Sequence, residues 1–207
     1  MLHTSSMADK IEEADELNSQ GHNLWLAGHY QQAEQILESA ILIYESENSD
    51  RVAQSLHNLG NVYRDTKRPE ASLEILERSL AHFKILKRNE SIVDVWTSMS
   101  LACLDLRQFE KMEKYLLQGL ELVDSDDFSR IGDLEHNLAL CYQRRFLFED
   151  AENLFWRSYR TYEKISDEYV RKDSMLASIN ELLEFYDHHG NEDKFDDVLE
   201  LKDELNN

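Results

Sequence analysis

LHNLGNVYRD (residues 56–65) returns in altered form as EHNLALCYQR (residues 135–144). His57 and His136 are 79 residues apart, which is two units of 39 to 40. Working outward, Gly21, Gly60, Ser100 and Ala139 stand at spacings of 39, 40 and 39, with a weaker match at Leu183 after 44 more. Other columns keep the same step: Tyr30, Pro69, Phe109 and Phe148; Ala33, Ser72, Met112 and Ala151; Leu37, Leu76, Leu116 and Phe155; Ala40, Ser79, Gly119 and Ser158. Small and large residues recurring in fixed register mark a chain built from stacked units, each burying its apolar face on the next.

Within a unit the apolar spacing is helical. Leu56, Leu59 and Tyr63 follow i, i+3, i+7, and Ala33, Leu37, Ala40 and Ile41 share one helix face. Each unit therefore reads as two amphipathic helices joined by a short turn. The composition agrees. One proline and six glycines in 207 residues are too few breakers for an all-β chain, and 42% hydrophobic residues suffice for a core. No apolar run is long enough to span a bilayer, and MLHTSSMADK lacks the apolar region of a secretory signal. The expectation is a cytoplasmic protein with Cys103 and Cys141 as buried free thiols.

The register, above all Leu17, Gly21, Leu24, Tyr30, Ala33 and Ala40 in the first unit and Leu56, Leu59, Gly60, Tyr63, Ser72 and Ser79 in the second, resembles a tetratricopeptide repeat protein. Units of 39 to 40 residues exceed the usual 34. They are similar to those of kinesin light chains and of bacterial peptide-sensing regulators. The resemblance implies an all-α, right-handed α-solenoid of helix-turn-helix repeats. A tail is expected over residues 1–11 and a single array over 12–207. Its repeats fall at about 14–50, 53–90, 93–128 and 132–168, and a divergent capping repeat at 174–205.

In such a solenoid the first helices line a concave groove. By register the groove receives Asn18, His22 and Trp25; then His57, Asn58, Asn61 and Arg64; then Ser98, Leu101 and Leu104; then Asp133, His136, Asn137, Leu140 and Arg144. The amide of Asn58 or Asn137 offers a donor and an acceptor. It suits an extended peptide backbone, and it equally suits a neighbouring helix whose spacing it would fix. Leu101, Leu104 and Leu140 would add an apolar strip, with Trp25 as an anchor. The expected function is a scaffold binding a protein or peptide segment. The alternatives are a peptide-responsive regulator and a chaperone or adaptor for a specific client. Relatives that clamp an acidic chaperone tail need basic residues on the groove wall, where this chain has Asn18, Asp94 and Ser98.

Net charge is −20, with −9 in residues 1–50 and −9 in residues 166–207. Nucleic acid and an anionic membrane are therefore not expected as partners, since phosphate surfaces need positive charge, and without an apolar span no membrane insertion is expected. Turn-borne bases (Arg64, Lys67, Arg68, Arg107, Arg144, Arg145) are expected along one edge. No catalytic constellation, metal site or cofactor motif is read. Asp187-His188-His189 lies in a helical stretch, and the calcium-like set Asp124, Asp126 and Glu135 lacks the required glycine. A monomer is favoured, with Phe146 and Trp156 as exposed residues able to make a self-contact or a second binding face.

Overall fold

The computed structural model describes residues 6–206. Ten helices occupy them: α1 (Met7–Leu26), α2 (Tyr30–Ser46), α3 (Val52–Asp65), α4 (Pro69–Leu86), α5 (Asn89–Asp105), α6 (Phe109–Leu122), α7 (Phe128–Arg144), α8 (Phe148–Tyr162), α9 (Glu168–His189) and α10 (Glu192–Asn206). The fold class is the expected one, an all-α array of helix-turn-helix repeats. The chain forms two compact units, one ending at Gln108 and one beginning at Phe109. The first holds α1–α5 and the second α6–α10.

The column Tyr30, Pro69, Phe109 and Phe148 supplies the first residue of the second helix in the first four repeats. Pro69 fits there because the first helical residue needs no N–H partner. The turn before each second helix is built one way throughout. Gly28, Lys67, Arg107, Phe146 and Gly190 all have φ from 56° to 77°. The N–H of the following residue reaches back five residues: His29 to Leu24 O, Arg68 to Tyr63 O, Gln108 to Cys103 O, Leu147 to Tyr142 O, Asn191 to Tyr186 O. This is the Schellman closure, which satisfies carbonyls orphaned at a helix end.

The periodic columns other than that of Tyr30 form the core. Leu37, Leu76, Leu116 and Phe155 are each 0% exposed. In the first unit the small residues opposite are obligatory: a Cβ on Gly21 would lie 2.6 Å from Leu37 Cγ, and one on Gly60 would lie 2.6 Å from Leu76 Cγ. The close approach of helix to helix needs the missing side chain. A polar latch accompanies it. Tyr44 OH donates to Asp15 at 2.6 Å, and three units later Tyr162 OH donates to Asp133 at 2.7 Å. Asp133, expected in the groove, is thus tied to the second helix of its own repeat.

Several boundaries differ from expectation. Residues 7–11 of the expected tail are helical, because Ser6 and Asp9 form a capping box (Ser6 N to Asp9 Oδ2 2.8 Å, Asp9 N to Ser6 Oγ 3.2 Å). Lys10 also pairs with Glu47 at 2.6 Å. Residues 1–5 of that tail lie outside the described residues. The last repeat starts at Glu168 instead of 174, where Asp167 caps α9 by accepting from Val170 N at 2.9 Å. Trp156, expected at the surface, is half-buried in the second unit's core and donates to Tyr186 OH at 3.1 Å. Phe146 is exposed as expected, at 76%.

Candidate functional site

All fifteen residues assigned to the groove lie on first helices: α1, α3 and α5 in the first unit, α7 in the second. In the first unit their polar atoms largely face one another. Asn18 Oδ1 accepts from Ser55 Oγ at 2.8 Å and from Asn58 Nδ2 at 3.1 Å. Asn58 is 4% exposed, and its carbonyl takes Gln54 Nε2 at 3.4 Å. The Asn58 amide thus joins α3 to the neighbouring α1. Replacing Asn58 by alanine should cost about 1 kcal/mol, the net value of one such bond, read as a shift in the urea midpoint.

The histidines act alike. His57 Nε2 bonds with Ser98 Oγ at 2.9 Å, joining α3 to α5. His136 Nδ1 bonds with Ser178 Oγ at 3.4 Å, joining α7 to α9. Burial pushes both imidazoles down to about 4; at His57 the Asp94 carboxylate opposes that shift, while Arg64 and His22 reinforce it. Both rings are neutral at physiological pH. Trp25 Nε1 donates to Asp65 at 2.7 Å, and the Arg64 fork grips the other oxygen of the same carboxylate at 2.9 and 3.0 Å.

Two polar atoms of this face are buried without a partner: His22 Nδ1 and Asn61 Oδ1. Asn61 is 7% exposed. They occupy equivalent stations, and the next equivalent residue is the half-buried Leu101. Trp25, Arg64 and Leu104 form the adjacent column, all half-buried. In the second unit Asn137 is buried, Leu140 is half-buried and Arg144 is exposed. Glu181 on α9 is held above the usual carboxylate range by burial and by Glu184, with Arg144 working against them.

The basic edge is mostly neutralised from within. Glu34 clasps Arg68 at 2.7 and 2.8 Å, and Glu113 holds Arg145 at 2.6 Å. Glu135 of the calcium-like set is 2% exposed and accepts from Arg157 Nε at 2.6 Å and from Thr161 at 2.7 Å. His189 stacks on Phe185 at 4.4 Å. Both cysteines are buried thiols outside any disulfide, and burial raises the Cys141 thiol to about 11. Among the described residues no group of three or more His, Cys, Asp or Glu could hold a metal ion, and no helix is long and apolar enough to cross a membrane.

The partners Ser55 and Ser178 were invisible to sequence reasoning. Their offsets from Asn18 and His136 are 37 and 42 residues, off the repeat spacing.

Family profiles described as tetratricopeptide repeat match residues 13–85 and 136–168, together about half of the chain. Among solved structures, kinesin light chain nearly identical TPR-like repeats of Podosopora anserina align at 21% identity with a TM-score of 0.70, covering 93% of this chain and 94% of that one. BtubC from P. vanneervenii aligns at 14% identity and TM-score 0.75, covering 98% and 92%. A Rap protein crystallised with Competence and Sporulation Factor aligns at 16% identity and TM-score 0.80 over 93% of this chain, which spans 54% of that protein. No curated protein matches the chain in sequence.

Proposed function

We propose, from the premise that the chain is a tetratricopeptide repeat protein, that it is an interaction scaffold whose first helices hold an extended peptide or protein segment. One observation carries the reading. On the first unit, Asn61 Oδ1 and His22 Nδ1 are buried and unpartnered on a face that also presents half-buried Trp25, Leu101 and Leu104. Leaving such an atom unpaired costs about 1–3 kcal/mol. A backbone N–H from a bound segment would satisfy Asn61, and the apolar neighbours would supply the larger share of affinity. That the Rap protein of the same fold was crystallised with Competence and Sporulation Factor supports a ligand held by the repeats.

The test is Asn61→Leu. Leucine already stands at the equivalent station in the next repeat, Leu101, so the side chain fits. Removing an orphaned acceptor should leave the urea midpoint unchanged or raised. Affinity capture from the native host should then lose its stoichiometric partner with Asn61→Leu and with Leu104→Asp, while wild type retains it. The same partner recovered from all three proteins would remove this face from the binding site.

A further inference from the structure

The turn from α7 to α8 carries a feature that the first-helix face does not use. Five turns share one closure. At four of them the left-handed position holds Gly28, Lys67, Arg107 or Gly190; at the fifth it holds Phe146 at φ 62°. Glycine takes that conformation freely, and a long basic side chain extends into water from it. A bulky aromatic there is an outlier that glycine would relieve. Burial does not compensate. Phe146 is 76% exposed, Leu147 is 40% and Phe148 is 37%.

The patch is nevertheless firmly built. Phe146 meets Phe148 edge to face at 6.0 Å. Phe148 rests on His189 at 4.4 Å and on Phe185 at 6.1 Å, and Phe185 is 5% exposed. An exposed ring on a fixed aromatic base loses little freedom when a partner covers it, as a binding hot spot requires.

We propose that Phe146, Leu147 and Phe148 form a second docking surface, separate from the first helices, for a basic protein segment bearing a large apolar anchor. The charge around the patch selects that occupant. Glu149 and Asp150 follow it on the first turn of α8, and both are exposed. Of the adjacent bases, Arg145 is engaged by Glu113, and Arg144, though exposed, stands close enough to Glu181 to act on its carboxylate. A second copy of this chain would bring the same acids face to face in a two-fold contact, and nucleic acid would bring phosphate against them. Lysine or arginine flanking an apolar side chain meets both the rings and the rim.

The full-length chain, wild type and Phe146→Gly, is panned against a random peptide display library. Peptides with a large apolar residue beside Lys or Arg should be enriched on wild type. They should bind Phe146→Gly about tenfold more weakly or worse. Glu149→Lys/Asp150→Lys should weaken them as well, and added salt should do the same. Phe146→Gly should also melt at a higher temperature than wild type, which separates lost binding from lost fold. No enrichment, enrichment of acidic or neutral peptides, or basic peptides indifferent to Phe146→Gly would overturn the proposal. So would a wild-type dimer in sedimentation equilibrium that Phe146→Gly dissolves, since the occupant would then be a second copy.

Discussion

Truncating Leu76 to alanine is expected to lower stability by about 2–5 kcal/mol, with the urea m-value unchanged. The side chain is 0% exposed in the core of the first unit, and the methyls it would lose fill the gap left by Gly60. Gly60→Ala alone is also destabilising. Its new methyl would lie 2.6 Å from Leu76 Cγ and Cδ2, a clash of the kind that costs about 1–3 kcal/mol. In the Leu76→Ala background the colliding atoms are gone. The added methyl then partly fills the cavity, and alanine is a better helix former than glycine by about 1 kcal/mol. Gly60→Ala should therefore change sign and stabilise the truncated protein. Urea unfolding of the four proteins closes the cycle, with a coupling of about 2 kcal/mol expected. Additive single effects would show that Gly60 and Leu76 do not share the contact that sets the repeat spacing.

That contact is also why the architecture was legible. A period is visible in a sequence when it reflects packing between residues near in sequence, and Gly60 and Leu76 are 16 apart. The turns were less so. Lys67, Arg107 and Phe146 occupy left-handed positions that composition would give to glycine. What holds them is backbone bonding, such as Arg68 N to Tyr63 O at 2.8 Å, which any residue type supplies. The early start of α9 was hidden because the last repeat leaves the 39-to-40 step. The Asp167 cap was in plain view, but the register pointed past it. Trp156 was misplaced for a separate reason. Its helical register sets it on the outside of α8, and Tyr186 near the end of α9 covers it.

The groove was legible as a set of positions and not as a set of roles. Asn58 looks the same in sequence whether its amide meets a ligand or Asn18, because the deciding partner is 40 residues away. Trp25 and Arg64 were read as two independent contributions to binding, yet Asp65 holds both. The two atoms without partners, on His22 and Asn61, belong to residues that seemed no more notable than their neighbours. Their distinction is the absence of a donor or acceptor nearby, which only three dimensions reveal.

Acid is expected to unfold this chain before its carboxylates titrate, through His57 and His136. In the unfolded chain each imidazole takes its proton near the ordinary value of about 6.5. In the folded chain burial lowers that to about 4. Between the two values the unfolded chain binds more protons, so stability rises with pH across this window. The contribution of the neutral rings is complete above about pH 6.5 and is lost as pH falls toward about 4. A separation of this size corresponds to about 3 kcal/mol per histidine. Two effects run the other way. Protonation relieves the repulsion of a −20 chain, and Glu181, whose pKa is raised, favours the folded state once protonated. The comparison must therefore be made against His57→Gln/His136→Gln, which carries the same opposing effects and keeps a group able to bond Ser98 and Ser178. Urea midpoints taken across the window should fall more steeply for wild type than for the double variant. Parallel curves would mean that the folded chain accommodates the imidazolium ions, and that the serine bonds rather than burial govern these two sites.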